Sequence, residues 1–312
     1  MKNILLFILF IYNISAFSYS YHYPLTQKQI KININKGSLP RGHELYRIIT
    51  NYNMDGPLNN KQINNFFKYG YIIIEDLIDK KNIESVRNIK FEKEIKTTEF
   101  ETINFNSWEK YPILLEIANK IGTAVAQLTP RVSNENDNLH IIKDAFFLFN
   151  GGKDGNSKGC DWHVDDAVFW PCNVKSIGPG INAWLALDDI DENGGGLCIA
   201  PLSYTSSFLN CRDAINNTER KIIDNKLFGT CNINNLFPEG KKILDNICYA
   251  PQMKAGDIIL TTRFLFHRTS EFNDITKKKN IRRYTIRYMP SSAKMDGIEI
   301  VNLLNNNIKY YP

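Results

Sequence analysis

Apolar positions along this chain change their period partway through. In residues 61–68, Ile63, Phe66 and Phe67 recur at helical spacing, and the β-branched run Tyr71-Ile-Ile-Ile74 that follows predicts a strand. Residues 80–89 place Ile83, Val86 and Ile89 on one helical face, and residues 112–128 predict another helix, ended by Pro130. From Leu139 onward, short β-rich runs at 145–149, 182–187, 197–200, 258–265 and 284–289 alternate with Gly, Pro and Asn turns. That order predicts a mainly β sandwich or barrel with helices packed outside it. Folded structure is expected from about Leu58. The polar stretch 209–247 reads as an insertion, a lid or an ornament.

The composition changes this picture little. The chain has 312 residues, 43% hydrophobic and 23% charged, which is ample for one large core. The net charge of +5 is spread along the sequence, with no basic block interleaved with aromatics, so no nucleic-acid partner is expected.

The N-terminus adds a targeting expectation. Met1-Lys2 precedes an apolar run through Tyr12 that is too short to span a bilayer, then the small residues Ser15-Ala16. Residues 1–16 therefore read as a signal peptide. No acidic residue occurs before Glu44, and residues 17–57 read as a basic, hydroxylated leader. This two-part arrangement resembles the import signal of plastids of secondary origin. A secreted or endomembrane-lumen protein with a polar tail remains the alternative. No later segment is apolar enough to be an integral membrane span.

The cysteines (Cys160, Cys172, Cys198, Cys211, Cys231 and Cys248) contain no Cys-x-x-Cys pair, so a zinc ribbon is not expected. Cys211 and Cys231 bracket the polar insertion and are the candidate bridge in an oxidising compartment. The same stretch carries the glycosylation sequon Asn216-Asn-Thr218.

The candidate chemistry lies in Cys160-Asp-Trp-His-Val-Asp-Asp166. Residues i and i+2 of an extended segment share a face, so His163 and Asp165 can grip one ion. With His267, at the end of an apolar run, they make the two-imidazole, one-carboxylate set that holds Fe(II) and leaves positions open for an organic co-substrate and O2. A carboxylate near such a centre needs a planar two-pronged donor, for which Arg282, Arg283 and Arg287 are candidates. Alternation puts Arg283 and Arg287 on one face and Arg282 on the other.

These pieces together resemble the phytanoyl-CoA dioxygenase family. The resemblance runs from about Asn59 to Pro290 and rests on short matches in a fixed order. They are Phe67-Lys-Tyr-Gly-Tyr-Ile-Ile-Ile74, Trp162-His-Val-Asp165, Ala183-Trp-Leu-Ala186, Gly194-Gly-Gly-Leu-Cys-Ile-Ala-Pro201, Phe266-His-Arg-Thr269 and Arg283-Tyr-Thr-Ile286. The family's Ser-His pair after that proline is here Leu202-Ser203.

The resemblance implies a double-stranded β-helix (a jelly-roll, cupin-like core) over residues 58–312. It also implies an Fe(II)- and 2-oxoglutarate-dependent dioxygenase that hydroxylates a small-molecule or lipid-like substrate and releases succinate and CO2. His163, Asp165 and His267 would bind the metal. Arg283 meets the family's Arg-x-x-Ile spacing and would hold the far carboxylate of 2-oxoglutarate, with Thr269 and Trp184 beside it and Arg287 as the fallback. Trp162, Phe169 and Trp170 would line the substrate pocket and keep water out. Asp165 argues against the related halogenases, which carry a small residue there. A non-catalytic metal- or ligand-binding module on the same fold is the alternative.

Overall fold

The computed structural model describes residues 56–92, 96, 100–129, 139–150, 159–165, 180–203, 221–223, 226–228, 238–274 and 279–290. Residues 1–55, Phe169, Trp170, Cys172, Cys211, Cys231 and Asn216 lie outside them.

Asn59 starts helix α1 (Asn60–Tyr69) through a reciprocal cap: its side chain accepts from Gln62 N at 3.0 Å, and the Gln62 side chain accepts from Asn59 N at 2.9 Å. Gly70, at φ 85°, ends the helix and turns the chain into strand β1 (Tyr71–Ile74). Helix α2 (Lys80–Arg87) follows, then β2 (Thr102–Phe105) and α3 (Pro112–Leu128). On α3, Leu114, Ile117, Ala118, Ile121, Val125 and Leu128 form a buried stripe.

The β-rich half contributes β3 (Leu139–Asn150), β4 (Ile181–Ala186), β5 (Leu197–Ile199), β6 (Lys221–Ile223) and β7 (Lys226–Phe228). Helix α4 (Pro238–Ile247), β8 (Ile258–Thr262), β9 (His267–Thr269) and β10 (Asn280–Pro290) complete it. An antiparallel six-stranded sheet runs in the order β1-β8-β4-β10-β3-β2, and β5 pairs with β9 in a separate two-stranded sheet.

Period-two alternation sorts the six strands' side chains. Ile72, Ile74, Ala183, Leu185, Ile258, Leu260, Tyr284, Ile286 and Tyr288 face the helices and form one core with α1, α2 and α3. Trp184, Ala186, Ile259, Phe147 and Phe149 face the other way and pack with Leu197 and Ile199 of β5. An irregularity in β3, where Arg287 pairs with Lys143 but Tyr288 pairs with Ile141, resets the phase so that Ile141 joins the helix-side core.

The predicted helices occur within two residues of their expected bounds, and each predicted strand is present. β3 and β10 are longer than expected because they pair with each other along their whole lengths. The run 258–265 is shorter: it breaks after Thr262, where Leu265 N donates back to Thr262 O at 3.2 Å, and β9 starts afresh at His267. The sequence pattern does not predict the short strand β2, nor structure in the polar stretch 209–247, which contains the hairpin β6–β7 and all of α4. No helix among the described residues is long and apolar enough to cross a membrane.

Candidate metal centre

Strand β9 is flanked on both sides. β5 pairs along one edge, with Ile199 opposite His267, and the segment 160–163 lies along the other. There Thr269 N donates to Cys160 O at 2.9 Å, while His163 and His267 exchange both backbone hydrogen bonds at 3.0 Å. Directly opposed residues in such a pair project to the same face, so the two imidazoles come together, with ring centroids 4.4 Å apart.

Asp165 meets them from beyond the turn. Its Oδ1 lies 3.6 Å from His163 Nε2 and 3.3 Å from His267 Nε2. One ligand atom from each of the three buried residues falls within 4.8 Å of the others, a spacing that could hold a metal ion.

The tautomers suit a cation. His163 Nδ1 sits 2.6 Å from Asp161 O, and His267 Nδ1 sits 2.9 Å from Leu265 O. A carbonyl can only accept, so each Nδ1 carries a proton, which leaves Nε2 as the atom that could turn a lone pair to a bound cation. The donor set offered to a cation is two imidazole Nε2 atoms and one carboxylate, with no thiolate among them, which fits a hard or borderline divalent ion such as Fe(II).

Both arginines of the inner face of β10 reach this region, by different contacts. Arg287 Nη2 lies 3.3 Å from Asp165 Oδ2, and its Nη1 donates to Thr285 Oγ1 at 3.0 Å. Burial alone would raise the Asp165 carboxyl, but the Arg287 guanidinium beside it holds it well below the usual carboxylate range. Arg283 has no carboxylate within ion-pairing distance among the described residues. Its Nη2 donates to Thr269 Oγ1 at 3.1 Å, and aromatic faces surround the guanidinium, with Phe149 at 3.9 Å, Phe147 at 5.4 Å and Trp184 at 5.5 Å. Burial pushes this guanidinium down to about 9. Arg282 points to the opposite side, where both it and Arg87 pair with Asp188.

One cavity is lined by His163, Asp165, His267, Arg283, Arg287, Thr269 and Trp184, joined by Phe100, Phe147 and Cys160. Trp162 is not on this wall. Its indole is fully buried with Val164, Cys198, Leu244 and Phe266, and its Nε1 donates to Asp245 at 2.7 Å. Gly159 is a site residue that pattern reading passed over. It holds φ 65°, and a Cβ there would stand 2.3 Å from Thr269 Oγ1, so only glycine lets Thr269 keep its place beside Arg283.

No protein-family model matches this sequence, and no curated protein matches it. Solved structures do resemble it in three dimensions. The non-heme alpha-ketoglutarate-dependent carbocyclase SnoK from nogalamycin biosynthesis superposes with a TM-score of 0.57 at 15% identity, covering 80% of this chain and 92% of that one. EctD from S. alaskensis with bound Fe gives 0.57 at 14%, covering 80% and 83%. The epimerase SnoN in complex with Fe3+, alpha-ketoglutarate and a nogalamycin compound gives 0.56 at 14%, covering 79% and 89%. At such identities the likeness is one of fold, and that fold is the double-stranded β-helix.

Proposed function

We propose that this protein is an Fe(II)- and 2-oxoglutarate-dependent oxygenase, of the phytanoyl-CoA dioxygenase type, that hydroxylates a small organic or lipid-like substrate. One observation carries the reading: Arg283 is a buried cation with no carboxylate within ion-pairing distance among the described residues, in the same cavity as a His-Asp-His triad. A buried charge is costly unless it is paired, so this guanidinium needs an anionic partner that the described residues do not supply. The far carboxylate of 2-oxoglutarate is such a partner, and the triad would take its other end.

His163, Asp165 and His267 would hold the iron. With 2-oxoglutarate and O2 bound, the metal supplies the oxidising chemistry, leaving succinate and CO2. The chain supplies position and dryness. Thr269 fixes the Arg283 fork by hydrogen bonding to Nη2, and Phe147, Phe149 and Trp184 confine it. The low-polarity wall strengthens every charge interaction inside the cavity.

The solved neighbours support the cofactor class, since two of them are called alpha-ketoglutarate-dependent or hold alpha-ketoglutarate, and a third holds iron. They also include a carbocyclase and an epimerase, so hydroxylation is our choice within that class. A non-catalytic module would have no need of both a complete triad and a separate anion holder.

The test is anaerobic loading with Fe(II) and 2-oxoglutarate, followed by O2 and cell extracts. Succinate formation together with products heavier by one oxygen is expected. If purified, metal-loaded protein forms no succinate with any extract, the reading fails.

A further inference from the structure

The two oxygens of Asp165 have separate tasks. Oδ1 faces the Nε2 atoms of His163 and His267, at 3.6 and 3.3 Å, whereas Oδ2 faces Arg287 Nη2 at 3.3 Å. Arg287 is 2% exposed, and it is fixed in turn: Nη1 donates to Thr285 Oγ1 at 3.0 Å, and Thr285 Oγ1 donates to Ala145 O at 3.3 Å. This chain of contacts runs from the backbone of β3, through β10, to the carboxylate.

We infer that Arg287 is a positioning residue, which holds Asp165 so that one oxygen alone is offered to the metal and neutralises the charge of the carboxylate. The inference rests on the metal reading above and goes beyond it, because it gives the second arginine on the inner face of β10 a task other than binding the co-substrate.

Two consequences follow from the geometry. A carboxylate free to turn could offer both oxygens and occupy a position that a co-substrate needs. The guanidinium on Oδ2 prevents that turn. A neutral Asp165–Arg287 pair with two neutral imidazoles also leaves the full charge of a divalent cation uncompensated by protein, which favours a dianionic co-substrate. Against this, the guanidinium repels the cation, so orientation must outweigh repulsion for the arrangement to help. Outer contacts to ligating side chains are commonly worth about ten- to a hundred-fold in metal affinity.

Co(II) titration of the apo protein, followed by its visible absorption, measures this without turnover. The set is wild type, Arg287→Gln, Arg287→Lys and, as control, Arg282→Lys. Each metal-loaded form is then titrated anaerobically with 2-oxoglutarate. Arg287→Gln should bind Co(II) about ten-fold or more weakly. Its metal-loaded form should need more 2-oxoglutarate. Arg287→Lys keeps the charge but cannot span both Asp165 and Thr285, and should fall between Gln and wild type. Arg282→Lys should match wild type.

A purely structural Arg287 would lower the melting temperature and leave both affinities of the folded protein alone. Equal or tighter Co(II) binding by Arg287→Gln therefore overturns the inference while the metal reading stands. If Arg287→Gln does not fold, Arg287→Lys decides: wild-type affinity overturns the inference, and weaker affinity supports it. A wild type that binds no Co(II) removes the metal reading and this inference together.

Discussion

His163 and His267 exchange both backbone hydrogen bonds, each at 3.0 Å, so the two imidazoles of the metal centre rise from a single rung of antiparallel pairing. The rung sets their separation, and the carbonyls of Asp161 and Leu265 set their tautomers.

The ligands should therefore separate by their effect on stability as well as on binding. His163→Ala, His267→Ala and Asp165→Ala should each abolish Co(II) binding, read by visible absorption, with the far-ultraviolet circular dichroism retained. Asp165→Ala should also cost the apo protein about 3–5 kcal/mol, because it removes the carboxylate 3.3 Å from the buried Arg287 guanidinium. Urea unfolding of the three apo variants measures this. Equal stability in all three would mean that Arg287 is satisfied elsewhere.

The arginines of β10 should separate by face. Arg283→Lys should raise the 2-oxoglutarate requirement about ten-fold or more and leave Co(II) binding intact, since an ammonium cannot reproduce a planar fork. Arg282→Lys should be close to silent in both measurements, because Arg282 pairs with Asp188 on the far side of the sheet. A defect in Arg282→Lys of the same size would break the assignment.

Gly159→Ala should mimic a mild Arg283 lesion. The new Cβ would stand 2.3 Å from Thr269 Oγ1, at a φ of 65° that disfavours any side chain. A cost of about 1–3 kcal/mol in stability is expected, with a raised 2-oxoglutarate requirement and unchanged Co(II) affinity. Unchanged 2-oxoglutarate binding would show that Thr269 does not steady Arg283.

A second buried acid gives a pH dependence away from the metal. Burial pushes the Asp144 carboxyl up to about 6, although Tyr284 Oη donates to Oδ2 at 2.5 Å and the Ser107 and Trp108 amides donate at 2.8 and 2.9 Å. The folded state holds this proton more tightly than the unfolded chain does, so the contribution is present below about pH 4 and lost as pH rises through about 6. The stability of wild type relative to Asp144→Asn should fall by roughly 2 kcal/mol between pH 4 and pH 7. Urea unfolding of both proteins across that range measures it, and a flat difference would refute it.

The leader supplies a prediction of its own. A fluorescent reporter fused after His43 should enter the secretory system, and on the plastid reading should continue to that organelle. Cytosolic fluorescence would discard both. Reporter in the medium would retain secretion alone.

Much of this site was legible in the sequence because its periodicities are local. His163-x-Asp165 and the alternation of Arg282, Arg283 and Arg287 depend only on neighbours within a few positions. Contacts between distant segments left no such trace. Nothing near Arg287 marks Asp165 as its partner, and nothing near Gly159 names Thr269. Adjacency to His163 suggests a pocket wall for Trp162, yet adjacent residues of an extended segment face opposite ways, and its indole turns to Asp245 and α4. The four-residue strand β2 went unseen because Thr102–Phe105 is too short to display a period; its pairing to β3 is what makes it a strand.

The inner face of β10 reads Arg283, Thr285, Arg287, and its outer face reads Tyr284, Ile286, Tyr288. This makes the strand intolerant of length change. Inserting or deleting one residue just before Arg283 would rotate the ladder by half a turn, sending both guanidinium groups into the helix-side core and tyrosines into the cavity. Paired insertions of two residues would keep the phase. Length variation in relatives of this chain should therefore be confined to even steps within β10 or displaced to positions before Asn280, outside the paired ladder.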